Sequence, residues 1–293
     1  DNQAFVKKLV KIRVDSCYIY AKKMKVWLIS VFSILLLPAW GQEGFNFLNS
    51  SEHLTIGVGI ALNTVRDQAH STLTYNGNGL RFFLSYERIR PDWISRASVS
   101  FDNVNLKARV KPRRDIRRSA QLSDMQVSVG YYARLGDNIP TDDQQYLGGT
   151  WNLQINSREY PLPTNNRTGV MLQSSFGLGA VDRRTISGAD DWAFTTRVNL
   201  PIITALYRPT YIGIPPFLHI DKVKAKHMFS NFDIVSLNRF FKLELGVDAD
   251  YLSRSWRTDR ISYDWNIFHT PVPATKPITS TSGSLLYGFR VLL

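Results

Sequence analysis

The sequence predicts an all-β protein, a single antiparallel up-and-down transmembrane β-barrel. Three observations support this prediction: an N-terminal export signal, many runs in which apolar and polar residues alternate, and a terminal run of the same kind. The chain has 293 residues, of which 44% are hydrophobic, and this is enough for one large domain. No Gly/Ser linker or internal repeat divides it.

A secretory signal peptide is predicted over residues 24–41. The basic start Met24-Lys25 precedes an apolar run from Val26 to Trp40, and small residues follow before Gln42. This run is shorter than the roughly 18 to 20 residues that a spanning helix needs. Residues 42–293 are then the barrel domain. Residues 1–23 are expected to be an upstream extension without a fold, translated from a start placed too early.

Few residues suggest a metal or cofactor site. Cys17 is the single cysteine, and the predicted cleavage removes it. The five histidines are dispersed along the chain without the tight spacing that metal ligands show, so neither a metal nor a cofactor is predicted.

The strands are predicted from a period of two. In the first run one face is apolar and the other is small or polar: Leu54, Ile56, Val58, Ile60 and Leu62 against Thr55, Gly57, Gly59, Ala61 and Asn63. Similar runs start at Leu80, Met125, Leu147, Val170, Trp192, Phe241, Ile261 and Leu285. Small residues with isolated charges of both signs on the second face favour a crowded barrel lumen over a sheet that faces open water.

Twelve strands are predicted, with ten and fourteen as alternatives, because single-chain bacterial barrels have an even number. The stretches Ala97 to Val110 and Thr210 to Leu237 look irregular, since Asp102-Asn103 interrupts the first and Pro215-Pro216 the second. Aromatic residues near the strand ends are expected to form girdles at the two lipid interfaces. They are Trp93, Tyr146, Trp192, Tyr207, Tyr251 and Trp256.

The strand order also predicts an orientation. If both termini are periplasmic, connections 64–78 and 269–282 face outward and the short connection 89–94 faces the periplasm, in agreement with the rule that outer loops are longer.

Charged residues on the predicted inner face are the first candidate site. They either line a pore and set its solute preference or pair across a closed lumen and fill it, and the sequence leaves both open. The set is Arg81, Glu87, Asp124, Arg134, Arg197, Lys242, Glu244, Asp248, Asp250, Asp264 and Arg290.

A basic stretch in the second outer connection is the second candidate site. Its guanidinium groups suit the phosphates and sugar acids of lipopolysaccharide, and the alternative is a merely solvated loop. It comprises Lys107, Arg109, Lys111, Arg113, Arg114, Arg117 and Arg118. Nucleic acid is not an expected partner, because no interleaved aromatic residues are present to stack bases.

Catalysis is the weakest hypothesis. The pairs His219/Asp221 and Asp248/Asp250 loosely resemble the His/Asp and acidic pairs of the omptin proteases. Their order along the chain is reversed and the surrounding residues do not match. No catalytic residues are predicted, since such a site is recognised by its geometry.

The signal peptide, the alternating runs and the terminal Leu285-x-Tyr287-x-Phe289-x-Val291-x-Leu293 together resemble the Gram-negative outer-membrane β-barrel proteins. This resemblance implies an exported outer-membrane protein in contact with lipid and lipopolysaccharide, and the assembly machinery reads such a terminal strand. A channel or passive transport barrel is the first functional hypothesis. A non-conducting structural or accessory barrel of an envelope assembly is the second, and a barrel-embedded hydrolase is the third.

Overall fold

The computed structural model describes residues 51–69, 71, 73–109, 117–136, 143–160, 168–186, 189–208, 232–254, 257–272 and 277–293. The predicted extension and signal peptide lie outside these residues, so both stay predictions. The described residues contain no helix that is long and apolar enough to cross a membrane.

Ten long antiparallel strands close into a barrel, and an eleventh short strand is added to its wall. They are β1 (Ser51–Asp67), β2 (Tyr75–Ile89), β3 (Trp93–Arg109), β4 (Arg117–Arg134), β5 (Asp143–Glu159), β6 (Thr168–Ile186), β7 (Ala189–Tyr207), β8 (Asp233–Ser236), β9 (Phe241–Arg254), β10 (Arg257–Thr270) and β11 (Ile278–Leu292).

Each long strand pairs with two neighbours, and β1 pairs with both β2 and β11, which closes the wall. The four residues of β8 pair with residues 203–206 of β7, next to the stretch 192–199 of β7 that pairs with β9. The predicted fold class is therefore confirmed, with ten barrel strands, the lower of the alternatives to twelve. The sequence overestimated the number because the strands are long: β6 and β7 have 19 residues each.

The barrel has two different ends. At one end, which we call the turn end, the strands are joined by the connections 90–92, 135–142, 187–188 and 255–256, and β1 starts and β11 ends there. The opposite end, which we call the loop end, carries the connections 68–74, 110–116, 160–167, 208–232 and 271–277. The stretch 210–231 of the second predicted irregular region lies outside the described residues.

The outer surface carries a broad band of exposed apolar side chains. Phe82, Phe176 and Leu285 are 52%, 62% and 56% exposed, and the apolar faces of the other predicted runs point outward in the same way. Because a protein in water rarely exposes so large a continuous apolar surface, this band is the surface that meets lipid.

The stretch that looked irregular, Ala97 to Val110, was misread: residues 93–109 form the continuous strand β3. Its polarity inverts halfway along. Val99 and Phe101 face outward up to Asp102-Asn103, after which the apolar residues Val104 and Leu106 are fully buried in the interior. The pairing of β3 with β2 and β4 continues without a register shift there, so the break is in the pattern of side chains and not in the backbone pairing.

The outer face becomes polar at the paired positions of the next two strands. Asn103 pairs with Ser123 of β4, and Ser123 pairs with Ser157 of β5. On the inner face, Asp102 pairs with Asp124, which in turn pairs with Asn156. We call this row of paired polar residues the inversion line.

On the loop-end side of the inversion line the interior is an apolar core. The core consists of Ala61, Val65, Tyr75, Val104, Leu106, Ala108, Ala120, Leu122, Tyr160, Met171, Leu206, Val235, Phe240, Phe268, Val272 and Ile278. The outward residues at this level of β2 to β4 are polar, as Asn76, Asn105 and Gln121 show. In β2 to β4 this part of the barrel is therefore built like a water-soluble protein, and the part on the turn-end side like a membrane protein, whereas Ile203, Ile234 and Phe241 remain exposed near the loop end of β7 to β9.

Aromatic contacts mark the turn-end side of the lipid band. Trp93 stacks on Tyr131 with ring centroids 5.5 Å apart, and Trp192 contacts Tyr251 at 5.0 Å. The prediction for Tyr146 was wrong, because this side chain is 1% exposed and lies in the interior. Tyr146 lies on the same face of β5 as the buried residues Asn152 and Gln154, which is the inner face. The side chain of Trp256 lies outside the described residues.

Candidate functional site

The lumen on the turn-end side of the inversion line is crossed by arginine–carboxylate pairs. Arg260 binds Asp250 through two parallel bonds of 2.7 and 2.8 Å, and its third nitrogen lies 3.3 Å from Asp248. Arg290 contacts Asp250 at 3.0 Å and Glu87 at 2.5 Å. Through these contacts, Glu87 of β2, Asp250 of β9 and Arg290 of β11 are connected to Arg260 of β10.

Two further arginines extend this cluster across the barrel. Arg197 of β7 contacts both Asp248 and, at 3.0 Å, Asp264. Arg96 of β3 lies 3.5 Å from Asp248 of β9 and 3.7 Å from Glu87. Since β3 and β9 are not neighbours in the wall, the contact of Arg96 with Asp248 passes through the lumen, whereas its contact with Glu87 joins paired residues of neighbouring strands. We call the four arginines 96, 197, 260 and 290 with their four carboxylates the arginine network.

A second group of polar side chains fills the lumen next to the inversion line. The ammonium of Lys242 contacts Glu244 at 2.7 Å and donates to the side-chain carbonyl of Gln154 at 2.9 Å. Gln154 donates to Asp124 at 2.7 Å, and Gln126 of β4 donates across the lumen to Glu244 of β9 at 3.0 Å. Lys242 is fully buried, so its charge depends on these partners.

Arg81 completes the set at this level. It lies 3.4 Å from Asp102 and donates to the hydroxyls of Ser100 and Ser284, both at 3.1 Å. A cavity of about 100 Å³ remains beside it, lined by Arg81, Arg96, Gln126, Arg197, Glu244 and Asp264. Because a water molecule needs roughly 10 to 15 Å³ of such space, the cavity has room for several waters.

A separate buried ion cluster lies in the loop-end part of the barrel. Asp67 at the end of β1 accepts bonds of 2.5 Å from both Arg158 of β5 and Arg208 after β7. Arg208 also donates to the backbone carbonyl of Val272 at 2.8 Å. Burial raises the pKa of the neighbouring Tyr160 to about 12, so its phenol is neutral at physiological pH. This cluster connects β1, β5 and the residue that follows β7, next to the apolar core.

The predicted inner-face charges lie on the inner face, and ten of the eleven belong to these groups of contacts. The eleventh, Arg134, lies at the turn end of β4, where its backbone amide donates to the carbonyl of Asp92 at 2.8 Å. The prediction missed six charged residues of these groups: Asp67, Arg96, Asp102, Arg158, Arg208 and Arg260. Arg260 precedes Ser262 and Asp264 on one face, so extending that run by two residues would have found it. Asp102 was missed because the polarity of β3 inverts at this residue.

The basic stretch is placed only in part. Lys107 is exposed on the outer face of β3, and Arg109 pairs with Arg117 at the end of the β3–β4 hairpin. The side chains of Arg109, Arg117 and Arg118 are outside the described residues, as are Lys111, Arg113 and Arg114 entirely.

The residues weighed for catalysis do not form a described site. His219 and Asp221 lie outside the described residues. Asp248 and Asp250 are held by arginines in the turn-end part of the lumen, whereas the connection that contains His219 leaves β7 at the loop end. Among the described residues, no group of three His, Cys, Asp or Glu side chains is arranged to hold a metal ion.

No protein-family model matches the chain, and no curated protein sequence matches it. Its structure is similar to that of the outer-membrane protease OmpT from Escherichia coli, with a TM-score of 0.53 and 9% identity, over 86% of this chain and 99% of that one. The chain has the fold of an outer-membrane β-barrel. At this identity the likeness establishes the fold alone.

Two other structures are similar at lower scores. The translocator domain of the autotransporter NalP from Neisseria meningitidis has a TM-score of 0.39 and 10% identity, over 93% of this chain and 97% of that one. The COG4313 outer membrane channel from Pseudomonas putida F1 has a TM-score of 0.35 and 7% identity, over 86% and 98%. These two scores carry no functional argument. The fold and the exposed apolar band together support an outer-membrane location.

Proposed function

We propose that this protein is a non-conducting outer-membrane barrel, a structural or accessory component that holds its loop end at the cell surface. The observation that carries the proposal is the way in which the lumen is filled. The arginine network crosses it from β3 to β9, and the apolar core fills it on the loop-end side.

Opening a path through this lumen has a high energetic cost. Asp248 contacts three arginines, and Asp250 contacts two. Moving one arginine aside would take a partner from each buried carboxylate that it contacts, and removing one partner of a buried ion pair costs up to about 3 to 5 kcal/mol. A pore that is open at rest would instead keep such charges in water along a continuous passage.

Conductance of the purified, folded protein in planar bilayers tests the proposal. Folding is verified first by comparing cold and boiled samples in SDS gels, where a folded barrel migrates anomalously. We expect no openings from protein that passes this check. Steady channels of uniform conductance would overturn the proposal.

A channel is the second candidate, favoured by the polar cavity of about 100 Å³ between the arginine network and the apolar core. A smaller pocket of about 10 Å³ on the turn-end side is also lined by Arg96, Tyr132 and Arg197. If the protein conducts, replacing Arg96 with Ala should widen this constriction and raise the conductance. The same replacement should leave a closed barrel without openings.

We further propose that the chain is exported by residues 24–41 and inserted with its loop end outward. The unequal connections and the water-soluble character of the loop-end part support this orientation. In the mature chain, Lys107→Cys and Arg184→Cys would each introduce a single thiol, one near each end. An impermeant maleimide applied to intact cells should label the first and not the second, and the reverse pattern would contradict the orientation.

A further inference from the structure

The outer face of β1 to β5 carries an unusual surface on the loop-end side of the inversion line. Its side chains are amides and hydroxyls together with the cation Lys107 and the anion Glu159, and we call this surface the amide belt. By pairing, its three rows are Asn103, Ser123 and Ser157; Asn78, Asn105, Gln121 and Glu159; and Thr64, Asn76, Lys107 and Ser119.

The amide belt begins where the lipid-facing band ends. Leu80 and Phe101 are 55% and 43% exposed, and the next outward residues along their strands are Asn78 and Asn103. Immediately next to the acyl chains of a membrane lies the layer of lipid headgroups. In the proposed orientation the belt therefore faces the headgroup layer of the outer leaflet.

The side chains of the belt are arranged to contact polyhydroxylated ligands. Gln121 donates to Asn103 at 3.2 Å, and Thr64 donates to Asn76 at 2.8 Å, so neighbouring amides are held in fixed orientations. An amide offers two donors and a carbonyl acceptor, which match the hydroxyls of sugars. Asn105 and Gln121, directly paired, are both exposed and present such groups side by side.

The charged residues of the amide belt indicate which type of sugar it suits. Lys107 lies within the belt, and the pair Arg109 and Arg117 continues the same hairpin beyond it. The anionic member, Glu159, lies at the β5 margin. A cationic centre flanked by amides suits a phosphate carried on a saccharide.

We infer that the amide belt is a docking surface for the phosphorylated sugar portion of outer-leaflet lipopolysaccharide. The inference goes beyond the proposed closed lumen and depends only on the proposed orientation. Thiol labelling tests that orientation separately, and conductance tests the lumen, so each failure can be distinguished from the others.

Binding of rough lipopolysaccharide to the full-length barrel in detergent tests the inference, with the dissociation constant as the readout. The variant N105A/K107A removes one amide and one cation from the belt. Its matched control, N238A/R239A, removes one exposed amide and one exposed cation from the turn after β8, at the same end of the barrel but on the other side.

We expect N105A/K107A to weaken binding about ten-fold, because several direct hydrogen bonds are lost, while the control stays within about two-fold of the unmodified protein. Lipopolysaccharide stripped of its phosphates should bind the unmodified protein about as weakly as the intact lipid binds the variant. That comparison requires no substitution, so it holds even if the variant fails to fold.

Three results would overturn the inference. Equal losses in both double variants would place binding around the whole mouth and not on the belt. Unchanged affinity for the dephosphorylated lipid would remove the role of Lys107. Binding of phosphatidylglycerol as tight as that of lipopolysaccharide would show attraction to negative charge without recognition of sugar.

Discussion

The two parts of the barrel on either side of the inversion line use the same strands with opposite polarity. On the turn-end side, β3 directs Phe101 outward and Arg96 inward, whereas on the loop-end side it directs Asn105 outward and Leu106 inward. Because the backbone pairing is continuous, the surroundings of each part must account for the difference. Lipid favours apolar side chains outside, and water favours them inside.

The comparison also explains why the lumen is filled in two ways. The part surrounded by lipid cannot direct its polar residues outward, so it directs them inward, where they must pair with one another. The part surrounded by water can bury an ordinary apolar core. The interior of the barrel is thereby occupied by ion pairs in one part and by packed apolar side chains in the other.

Replacing Arg260 with Met should have the largest effect on stability. The change leaves Asp250, Asp248 and Glu87 short of a partner, so we expect a loss of about 3 to 5 kcal/mol in the free energy of unfolding. Urea unfolding in lipid vesicles measures it. Arg184→Met breaks the exposed pair with Asp182 and should cost at most about 1 kcal/mol. Similar small losses in both variants would show that the arginine network does not stabilise the barrel.

Leu106→Ala should have the next largest effect. Leu106 is fully buried in the apolar core, so its truncation leaves a cavity that costs about 3 kcal/mol. The matched variant is Leu80→Ala, on the outer face of the neighbouring strand, and its cost should be nearer to 1 kcal/mol. A greater loss at Leu80 would indicate that the loop-end interior is not close-packed.

Replacing two glutamines, one in the lumen and one on the outer face, tests the same comparison with a smaller expected effect on stability. Gln154 lies in the lumen between Asp124 and Lys242, and its replacement with Ala should cost about 1 to 3 kcal/mol because buried polar groups lose their partners. Gln121→Ala, on the outer face of β4, should change stability by less than about 0.5 kcal/mol. The same unfolding assay compares the two, and equal costs would contradict the proposed water exposure of Gln121.

The sequence was sufficient to predict the barrel and the inner face of most strands. A period of two is a local property, so runs such as Leu54 to Leu62 reveal their apolar face without knowledge of their neighbours. The inversion in β3 was missed because apolar and polar residues alternate with a period of two on both sides of Asp102-Asn103. At that point, however, the apolar residues change from the outer face to the inner face. Recognising it requires the pairing of Asn103 with Ser123 and of Ser123 with Ser157, which only the folded barrel provides.

Whether the lumen is open could not be predicted from sequence. Inner-face charges such as Arg290 and Asp250 suit either a pore or a filled interior. The distinction depends on whether they meet across the lumen, as these two do at 3.0 Å. Arg96 shows the same limit, since its two carboxylate partners lie on β2 and β9, far apart in the chain.

The central claim is that the inversion line marks the edge of the membrane on this side of the barrel, and an arginine scan along the outer face of β3 tests it most directly. Val99→Arg, Phe101→Arg, Asn103→Arg and Asn105→Arg would be unfolded in lipid vesicles. The cost should be greatest inside the band, about 2 to 4 kcal/mol if Val99 lies near the midplane, and fall to about 0 to 1 kcal/mol from Asn103 onward. A cost at Asn105 as large as that at Val99 would contradict the claim.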